Sequence, residues 1–410
     1  MSPPLAAFTG YGIEIEYAIV DRATLDVRPI ADRLLADAAG QAVSEYEDGP
    51  IAWSNELSLH VIELKTNGPA ASLDGLGDAF ARSARHANDL LAAHDACLLP
   101  CAMHPWMDPD TEQRLWPHEQ NEIYAAYDRI FGCRGHGWAN LQSMHINLPF
   151  ADDAEFVRLH DAIRVVLPLL PALSAASPFA DGRATGYLDT RLEVYRANQA
   201  RVPEITGAVI PERVSSIDEY HTRILAPMYA AIGKHDADGV LAGEWLNSRG
   251  AIARFDRHTI EIRLLDSQES PRADLALARV VCAVIRHLYD APPRVRAAQT
   301  RVDPAVLAKT LRDAIQDGER SHVENADYLC ALGLASVSAS AGEIWRALAR
   351  ASGVAGAKDV ERLLARAPLA RWLIGSAGSA PTRDRLRTVY RELCGALITN
   401  EIIAIAGAKA

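Results

Sequence analysis

The sequence predicts an α+β protein with an antiparallel or mixed sheet, helices outside the sheet and a helical C-terminal region. Strand-like alternation of apolar and polar residues falls in five segments: residues 10–20, 57–66, 98–103, 138–150 and 251–265. Helical periodicity dominates the long stretches between these segments. Such long insertions suit an antiparallel or mixed sheet better than a regular alternation of parallel strands and helices.

The helical segments divide the chain into two predicted regions. Amphipathic patterns predict helices over residues 76–93, 119–131, 155–173, 272–289, 304–317, 341–351, 360–366 and 382–401. The last five follow one another without an intervening strand. We therefore predict a catalytic α+β body over residues 1–270 and a helical region over residues 271–410 that packs on it.

The first strand carries two acidic residues on one face. Because residues two apart share a face of a strand, Glu14 and Glu16 point the same way, and Ile13 and Ile15 point to the other side. Two carboxylates at this separation repel each other unless water or a cation lies between them. Mg²⁺ is the usual cation for such a pair. A solvated face of an edge strand is the alternative that the spacing leaves open.

A second acidic segment lies at residues 55–66. Glu56 and Glu63 differ in parity, so a regular strand cannot place both side chains on one face. Either one of them lies on the loop before the strand, or a bulge intervenes. Glu63 has apolar neighbours on both sides, and a carboxylate within a paired strand needs a partner or a metal. An ion pair with Lys65 or Arg33 is the alternative.

The third segment has a polar face that suits a phosphate or carbonyl group. Ser143, His145 and Asn147 alternate with apolar residues along this segment. A histidine and an asparagine two residues apart suit hydrogen bonding better than zinc binding, because no Cys or further His stands beside them at ligand spacing. The other histidines are too scattered along the chain to indicate a metal site.

The fourth segment predicts a hairpin that turns at residues 256–258. On its second strand, Thr259, Glu261 and Arg263 share one face. An acid beside an arginine on a sheet can be a cross-strand ion pair. It can also be a metal ligand beside a phosphate clamp, for which the planar guanidinium group is suited. The pattern leaves both interpretations open.

Together, the four segments predict a polar, cation-binding concavity. Each segment has an apolar back and a polar front, and this combination favours phosphoryl chemistry with Mg²⁺ over a protease or an oxidoreductase. The chain has no Gly-Xaa-Gly-Xaa-Xaa-Gly after a strand, no Walker-type loop and no Gly-Xaa-Ser-Xaa-Gly elbow.

Charge and cysteine content exclude several classes of protein. The formal net charge of -11 argues against a nucleic-acid-binding surface, and six cysteines in 410 residues do not suggest a disulfide scaffold. Cys133, in a predicted loop, is the one cysteine that we consider as a nucleophile. Residues 1–9 lack the features of a signal peptide, and two prolines interrupt the longest apolar run, residues 165–176. We therefore expect a cytoplasmic protein that contacts neither nucleic acid nor membrane, and a homo-oligomer is left open.

The motifs, in this order, resemble those of the glutamate–cysteine ligases and the related bacterial carboxylate–amine ligases. The motifs are Gly12-Ile13-Glu14-Ile15-Glu16-Tyr17, Glu56 followed after six residues by Glu63-Leu64-Lys65-Thr66, His104-Pro105-Trp106, Met144-His145-Ile146-Asn147 and Glu261-Ile262-Arg263. The resemblance spans about residues 10–290.

The resemblance implies a glutamine-synthetase-like fold, in which an antiparallel sheet forms a funnel with helices outside it. It also implies an enzyme that uses ATP and Mg²⁺ to phosphorylate a small, amino-acid-like carboxylate, after which an amine displaces the phosphate. The roles implied by position are metal ligands or their neighbours for Glu14, Glu16, Glu63 and Glu261, contacts with nucleotide or metal for His145 and Asn147, and contacts with the transferring phosphate or the substrate carboxylate for Arg254 and Arg263. The same resemblance places acceptor specificity in residues 189–213.

The sequence leaves two other functions open. One is a guanidino kinase, which the phosphorylation of a guanidino compound without amide formation would favour. The other is a catalytically silent homologue that binds a nucleotide or an amino acid, although the presence of all four acidic positions argues against it. The identity of the carboxylate and of the amine is also left open.

Overall fold

An eight-stranded sheet forms the centre of the structure, a computed structural model that describes residues 4–404; residues 1–3 and 405–410 of the two predicted regions lie outside the described residues. The strands of the chain are β1 (Gly12–Asp21), β2 (Glu45–Asp48), β3 (Ile51–Asn55), β4 (Val61–Thr66), β5 (Ala96–Leu99), β6 (Ser143–Pro149), β7 (Phe179–Ala180), β8 (Arg183–Ala184), β9 (Ala251–Arg254), β10 (Thr259–Asp266), β11 (His322–Val323) and β12 (Ala339–Ser340). The pairs β7–β8 and β11–β12 are short separate hairpins.

The central sheet is antiparallel throughout, as the sequence predicted. Its strands follow the order β2-β3-β4-β1-β6-β10-β9, and β5 pairs with the second half of β1. The first half of β1 pairs with β6, and its middle pairs with β4. The predicted hairpin is confirmed between β9 and β10, where His258 in the turn has a left-handed backbone.

Helices surround the sheet and account for most of the chain after β10. They are α1 (Ala31–Ala39), α2 (Leu76–Leu91), α3 (Pro109–Glu112), α4 (Asn121–Phe131), α5 (His136–Ala139), α6 (Asp153–Val166), α7 (Pro171–Ser174), α8 (Thr190–Tyr195), α9 (Ile217–Tyr220), α10 (Ala226–Ile232), α11 (Pro271–Tyr289), α12 (Pro293–Gln299), α13 (Pro304–Asp317), α14 (Ala326–Ala331), α15 (Ala341–Ala351), α16 (Lys358–Ala365), α17 (Leu369–Ala377) and α18 (Arg383–Thr399). Within residues 4–404, none of these helices is long and apolar enough to cross a membrane.

The apolar side of the sheet forms the main core. Ile13, Ile15 and Tyr17 on β1 have no solvent exposure, and the same is true of apolar residues on β4, β6 and β10. Complete burial of such side chains contributes roughly 1.5–3 kcal/mol each. Helices α2, α6 and α11 pack together on this side. Helix α11 belongs to the predicted C-terminal region and still contributes to the core of the sheet, so the division at residue 270 stays a prediction.

Two differences from the predicted strands concern the edges of the sheet. Strand β5 ends at Leu99, short of the predicted residue 103, because Pro100 has no N–H group to continue the ladder. The hairpin β2–β3 was not predicted at all. Its turn follows Asp48 and contains Gly49, which has a positive φ of 69° that suits glycine.

The strand predicted over residues 138–150 begins five residues late, at Ser143. Its first residues form the short helix α5, and the side chain of Asn140 then bonds to the backbone N–H and C=O of His104. These hydrogen bonds hold Asn140 against the backbone of His104, and the chain enters the sheet only after this contact.

A second buried cluster lies between α18 and the sheet. It contains Ala18, Val20, Leu99, Leu386, Val389, Tyr390 and Leu393. At its edge, Arg387 Nε donates a hydrogen bond of 3.0 Å to the carbonyl oxygen of Thr24, a residue 363 positions earlier in the chain. Helix α18 therefore covers the part of β1 that pairs with β5.

A buried ion pair connects the start of α11 with the segment after α16. Arg366 forms a two-point contact with the Glu269 carboxylate, in which Nη2 lies 3.0 Å from Oε2. The Glu269 side chain has no solvent exposure, and that of Arg366 is only 4% exposed. Arg366 Nη1 also donates to the carbonyl oxygen of Ile403 (3.1 Å). Three distant parts of the chain therefore meet at one guanidinium group.

We expect Arg366→Met to destabilise the protein by about 3–5 kcal/mol, because it leaves a buried carboxylate without its partner. Thermal and urea unfolding measure the effect. The control is Arg129→Met, which breaks a solvent-exposed pair with Asp238 and should change stability by less than about 1 kcal/mol. Equal effects of the two substitutions would contradict the importance of the buried pair.

Candidate active site

The polar side of the sheet lines a cavity of about 570 Å³. Five of the eight residues predicted from the sequence line it directly: Glu16, Glu63, His145, Arg254 and Arg263. Of the other three, Glu14 and Glu261 contact His145, and Asn147 bonds to Glu14. The structure therefore brings all eight residues together, while the role of each stays a prediction.

Glu14 is held by two side chains of β6. Its Oε1 accepts a hydrogen bond of 2.9 Å from Asn147 Nδ2, and its Oε2 lies 3.0 Å from His145 Nδ1. Burial raises the pKa of Glu14, but the hydrogen bond and the charge of His145 outweigh it and lower the pKa to about 2. Burial lowers the pKa of His145, yet the bond to Glu14 raises it overall. This contact therefore favours an ionised Glu14.

Glu16 is oriented by Ser143. The backbone N–H of Ser143 donates to Glu16 Oε2 at 2.7 Å, and the hydroxyl oxygen of Ser143 lies 3.2 Å from the same atom. That hydroxyl also lies 2.9 Å from His145 Nε2. A short chain of polar contacts therefore connects the two glutamates of β1 through Ser143 and His145.

Glu63 lies directly opposite Glu16 in the sheet. It accepts a hydrogen bond of 2.7 Å from the Ser54 hydroxyl, and Lys65 Nζ lies 3.7 Å from the same carboxylate oxygen. The ion pair with Lys65, which the sequence left as an alternative, is therefore present together with the acidic cluster. Burial, followed by the charge of Glu14, raises the pKa of Glu63 to about 8.

Glu56 lies on the loop between β3 and β4, the first of the two placements that its parity allowed. There its carboxylate joins those of Glu16 and Glu63. Burial and the charges of these two neighbours raise the pKa of Glu56 well above its ordinary value. The sequence did not predict Glu56 as a site residue. Its closeness to Glu63 in the sequence was the one signal for this role. The conformation of the loop, which brings the two carboxylates together, could not be read from the sequence.

The acidic residues form two groups that can each hold a cation. The first group consists of Glu14, Glu63 and His145, and the second consists of Glu16, Glu56 and Glu63. In each group, one ligand atom from each residue lies within 4.8 Å of the ligand atoms of the other two. Glu63 belongs to both. Carboxylate oxygens are the donors that Mg²⁺ prefers, and the buried Oδ1 of Asn147 has no hydrogen-bond partner among residues 4–404. These donors fit divalent cations.

Glu261 is paired with two arginines. Its Oε1 lies 3.0 Å from Arg263 Nε and 3.7 Å from His145 Nδ1, and its Oε2 lies 3.4 Å from Arg254 Nη1. Arg254 also contacts Asp256. The structure thus has the ion pair that the hairpin predicted, and both arginines line the cavity. Within residues 4–404, Glu261 is not a member of either cation-binding group.

Cys133 is buried. Burial raises the pKa of its thiol, and the charge of Asp128 raises it further. A thiol must ionise to act as a nucleophile. This environment therefore argues against the nucleophilic role considered from the sequence.

The sequence was compared with models of known protein families. Residues 11–396 match the model of glutamate-cysteine ligase family 2 (GCS2). The chain belongs to glutamate-cysteine ligase family 2. It is therefore an ATP-dependent carbon–nitrogen ligase, and the predicted family is confirmed.

Two proteins show how similar this chain is in sequence to its relatives. It is 41% identical over 308 residues to an uncharacterized protein of Archaeoglobus fulgidus, across 75% of this chain and 80% of that protein. It is 28% identical over 319 residues to a Bradyrhizobium sp. (strain ORS 278) protein provisionally named glutamate–cysteine ligase 2, across 73% of this chain. The match spans 66% of the Bradyrhizobium protein's length.

A solved structure has the same fold as this chain. Glutamate–cysteine ligase of Francisella tularensis, crystallised in complex with AMP, superposes with a TM-score of 0.60 at 14% identity, over 95% of this chain and 89% of that one. The predicted fold class, an antiparallel sheet of glutamine-synthetase type with outer helices, is confirmed.

One wall of the cavity was not predicted from the sequence. It is formed by aromatic residues, namely Tyr124, Tyr127, Trp138, Tyr195 and Trp245. The ring centroids of Tyr127 and Trp138 are 5.1 Å apart. The aromatic residues of α4 follow a helical stripe, which is equally typical of core packing. The buried Arg191 also lines the cavity and pairs with Asp266.

In metal-free buffer, we expect stability to fall as the pH rises, owing to Glu63. Its pKa is about 8 in the folded protein and 4.5 in the unfolded chain. The contribution of Glu63 to the free energy of unfolding is therefore fully present below pH 4.5 and is lost as the pH rises through 8. Between about pH 6 and 8.5 the loss should be on the order of 2 kcal/mol.

Urea unfolding in the presence of a chelator measures this loss, with Glu63→Gln as the comparison. Glutamine cannot ionise, so the variant should lose less stability than the wild type over the same pH range. The same pH dependence in both proteins would contradict the assignment to Glu63.

Proposed function

We propose that this protein joins the carboxylate of a small, amino-acid-like substrate to an amine, using ATP and an acyl phosphate intermediate. One observation carries the proposal: Glu63, which both candidate cation groups share, lines the same cavity as Arg254 and Arg263. The name of the Bradyrhizobium relative and the AMP bound to the Francisella structure support a nucleotide and a glutamate-like substrate.

The acidic residues are the proposed holders of Mg²⁺. Glu14, Glu16, Glu56, Glu63 and His145 supply donors that converge within bonding range of a cation. Bound Mg²⁺ would neutralise charge on the phosphates of ATP. The strands hold these donors in fixed positions, because Ser54, Ser143 and Asn147 each bond to one of the carboxylates.

Arg254 and Arg263 are the proposed stabilisers of the transferring phosphoryl group. Planar guanidinium groups bind phosphoryl and carboxylate oxygens at two points. Glu261 lies between the two arginines and limits the movement of both. Burial lowers the pKa of Arg263, but the charge of Glu261 outweighs it and raises the pKa, so the group stays charged.

The proposed reaction has two steps. A carboxylate oxygen of the substrate attacks the terminal phosphorus of ATP, and ADP leaves. The amine nitrogen then attacks the acyl carbon and loses a proton, and inorganic phosphate leaves with the former carboxylate oxygen. The protein has to orient the reactants and stabilise charge, but it does not have to supply a nucleophile. The burial of Cys133 agrees with this requirement.

A carboxylate labelled with heavy oxygen tests the acyl phosphate. Amino acids and dicarboxylates are first screened for ADP release with Mg²⁺, with hydroxylamine as a general amine. For an active carboxylate, we expect one labelled oxygen in inorganic phosphate and an acyl hydroxamate as the second product. Glu63→Gln should abolish both.

The position of the label distinguishes the alternatives. Label in AMP would indicate adenylation of the carboxylate and would contradict the acyl phosphate. A phosphorylated guanidino compound without an amide would indicate a kinase. ATP binding without release of ADP in the presence of any candidate substrate would favour a catalytically silent homologue.

Arg263→Lys tests whether Arg263 acts on the reaction. Lysine keeps the charge and loses the two-point geometry. We expect turnover to fall by about 10²–10³-fold with little change in melting temperature. Arg183→Lys, on an exposed hairpin, should leave turnover unchanged. If Arg263→Lys has nearly wild-type turnover, Arg263 serves only as the ion-pair partner of Glu261.

A further inference from the structure

Lys65 occupies an unusual position beside the acidic cluster. It lies on the same face of β4 as Glu63 and directly opposite Glu14 on β1. Its Nζ lies 3.7 Å from Glu63 Oε2, and within residues 4–404 it is the only cationic group paired with that carboxylate. The one ammonium group of the cluster therefore contacts the one carboxylate that both cation groups share.

A divalent cation and the Lys65 ammonium would compete for Glu63. Like charges a few ångströms apart in a partly buried site repel strongly. A cation bound in either group would use Glu63 as a ligand and would lie close to Lys65 Nζ. Binding of the cation is therefore opposed for as long as the ammonium stays beside Glu63.

Lys65 also has a second carboxylate within reach. Its Nζ lies 3.2 Å from Glu45 Oε1, closer than it lies to Glu63. Glu45, Ser54 and Glu63 stand in register across β2, β3 and β4. The Glu45 side chain is 58% exposed, so it lies at the rim of the cluster. Lys65 can thus leave Glu63 and still keep a negative partner.

We propose that Lys65 is the built-in counter-cation of the metal-free cluster, and that a divalent cation displaces its ammonium group from Glu63 towards Glu45. The inference rests on the proposed function, because it requires the acidic groups to bind a divalent cation. It also explains a preference for charge. A monovalent ion that replaces an ammonium group gains no net attraction to the carboxylates, whereas a divalent ion does.

Mn²⁺ binding to the metal-free full-length protein tests the proposal, at pH 8.5, where the Glu63 carboxyl group is largely ionised. Free Mn²⁺ is measured by its electron paramagnetic resonance signal. We expect Lys65→Met to bind Mn²⁺ about tenfold more tightly than the wild type. Lys309→Met is the matched control. Lys309 pairs with Asp313 on an exposed helix, and its removal should leave Mn²⁺ affinity unchanged.

A double-mutant cycle with Glu45→Gln separates displacement from a general effect of charge. Displacement predicts that Glu45→Gln weakens Mn²⁺ binding severalfold in the wild type and has no effect in the Lys65→Met background. If each charge acts only through the overall electrostatic field of the site, the effects of Glu45→Gln and Lys65→Met on Mn²⁺ affinity should add. Lys65→Gln is measured in parallel and should behave like Lys65→Met, and thermal melting verifies that each variant is folded.

Three results would overturn the proposal, and they differ in what they leave intact. Equal Mn²⁺ affinity of Lys65→Met and wild type, or additive effects in the cycle, would overturn the role of Lys65 and leave the proposed ligase intact. Absence of chelator-sensitive Mn²⁺ binding by the wild type would overturn both the role of Lys65 and the cation site of the proposed function.

Discussion

The pairing of β1 with its neighbours is the constraint on which the rest of the structure depends. Gly12 lies opposite Asn147, Glu14 opposite both Lys65 and His145, and Glu16 opposite Glu63. A shift of one residue in either register would turn the polar residues into the core and the isoleucines into the cavity. The burial of the apolar side therefore holds the acidic side in place, and the site depends on the packing beneath it.

That arrangement concentrates like charges in a buried place, and the protein responds in different ways at different carboxylates. Glu14 has His145 and Asn147, which favour its ionised form. At Glu56 and Glu63, burial and the charges of neighbouring glutamates raise the pKa values. The cluster thus contains Glu14, whose ionised form the protein favours, and Glu56 and Glu63, whose ionised forms a bound cation would favour. Such a division couples metal affinity to pH.

The sequence predicted the site better than it predicted the framework around it. The shared orientation of Glu14 and Glu16 could be predicted because a strand has a period of two residues. The same rule predicted that His145 and Asn147 share a face. Glu56 needed the path of a loop, which no periodicity encodes. Strand β10 contains a register shift between Ile262 and Leu265, which brings Asp266 opposite Ser143. A bulge of this kind depends on the neighbouring strand, so it has no local signature.

Helix α18 has a consequence for how the protein is made. Its contacts with the region of β1 join residues that are 363 and 368 positions apart. On the ribosome, the apolar residues Ala18, Val20 and Leu99 are synthesised long before the helix that covers them. Contacts of such long sequence separation slow folding, and an uncovered apolar face invites association with other chains. The apolar face formed by Ala18, Val20 and Leu99 therefore stays uncovered in the nascent chain until residues 386–393 have emerged.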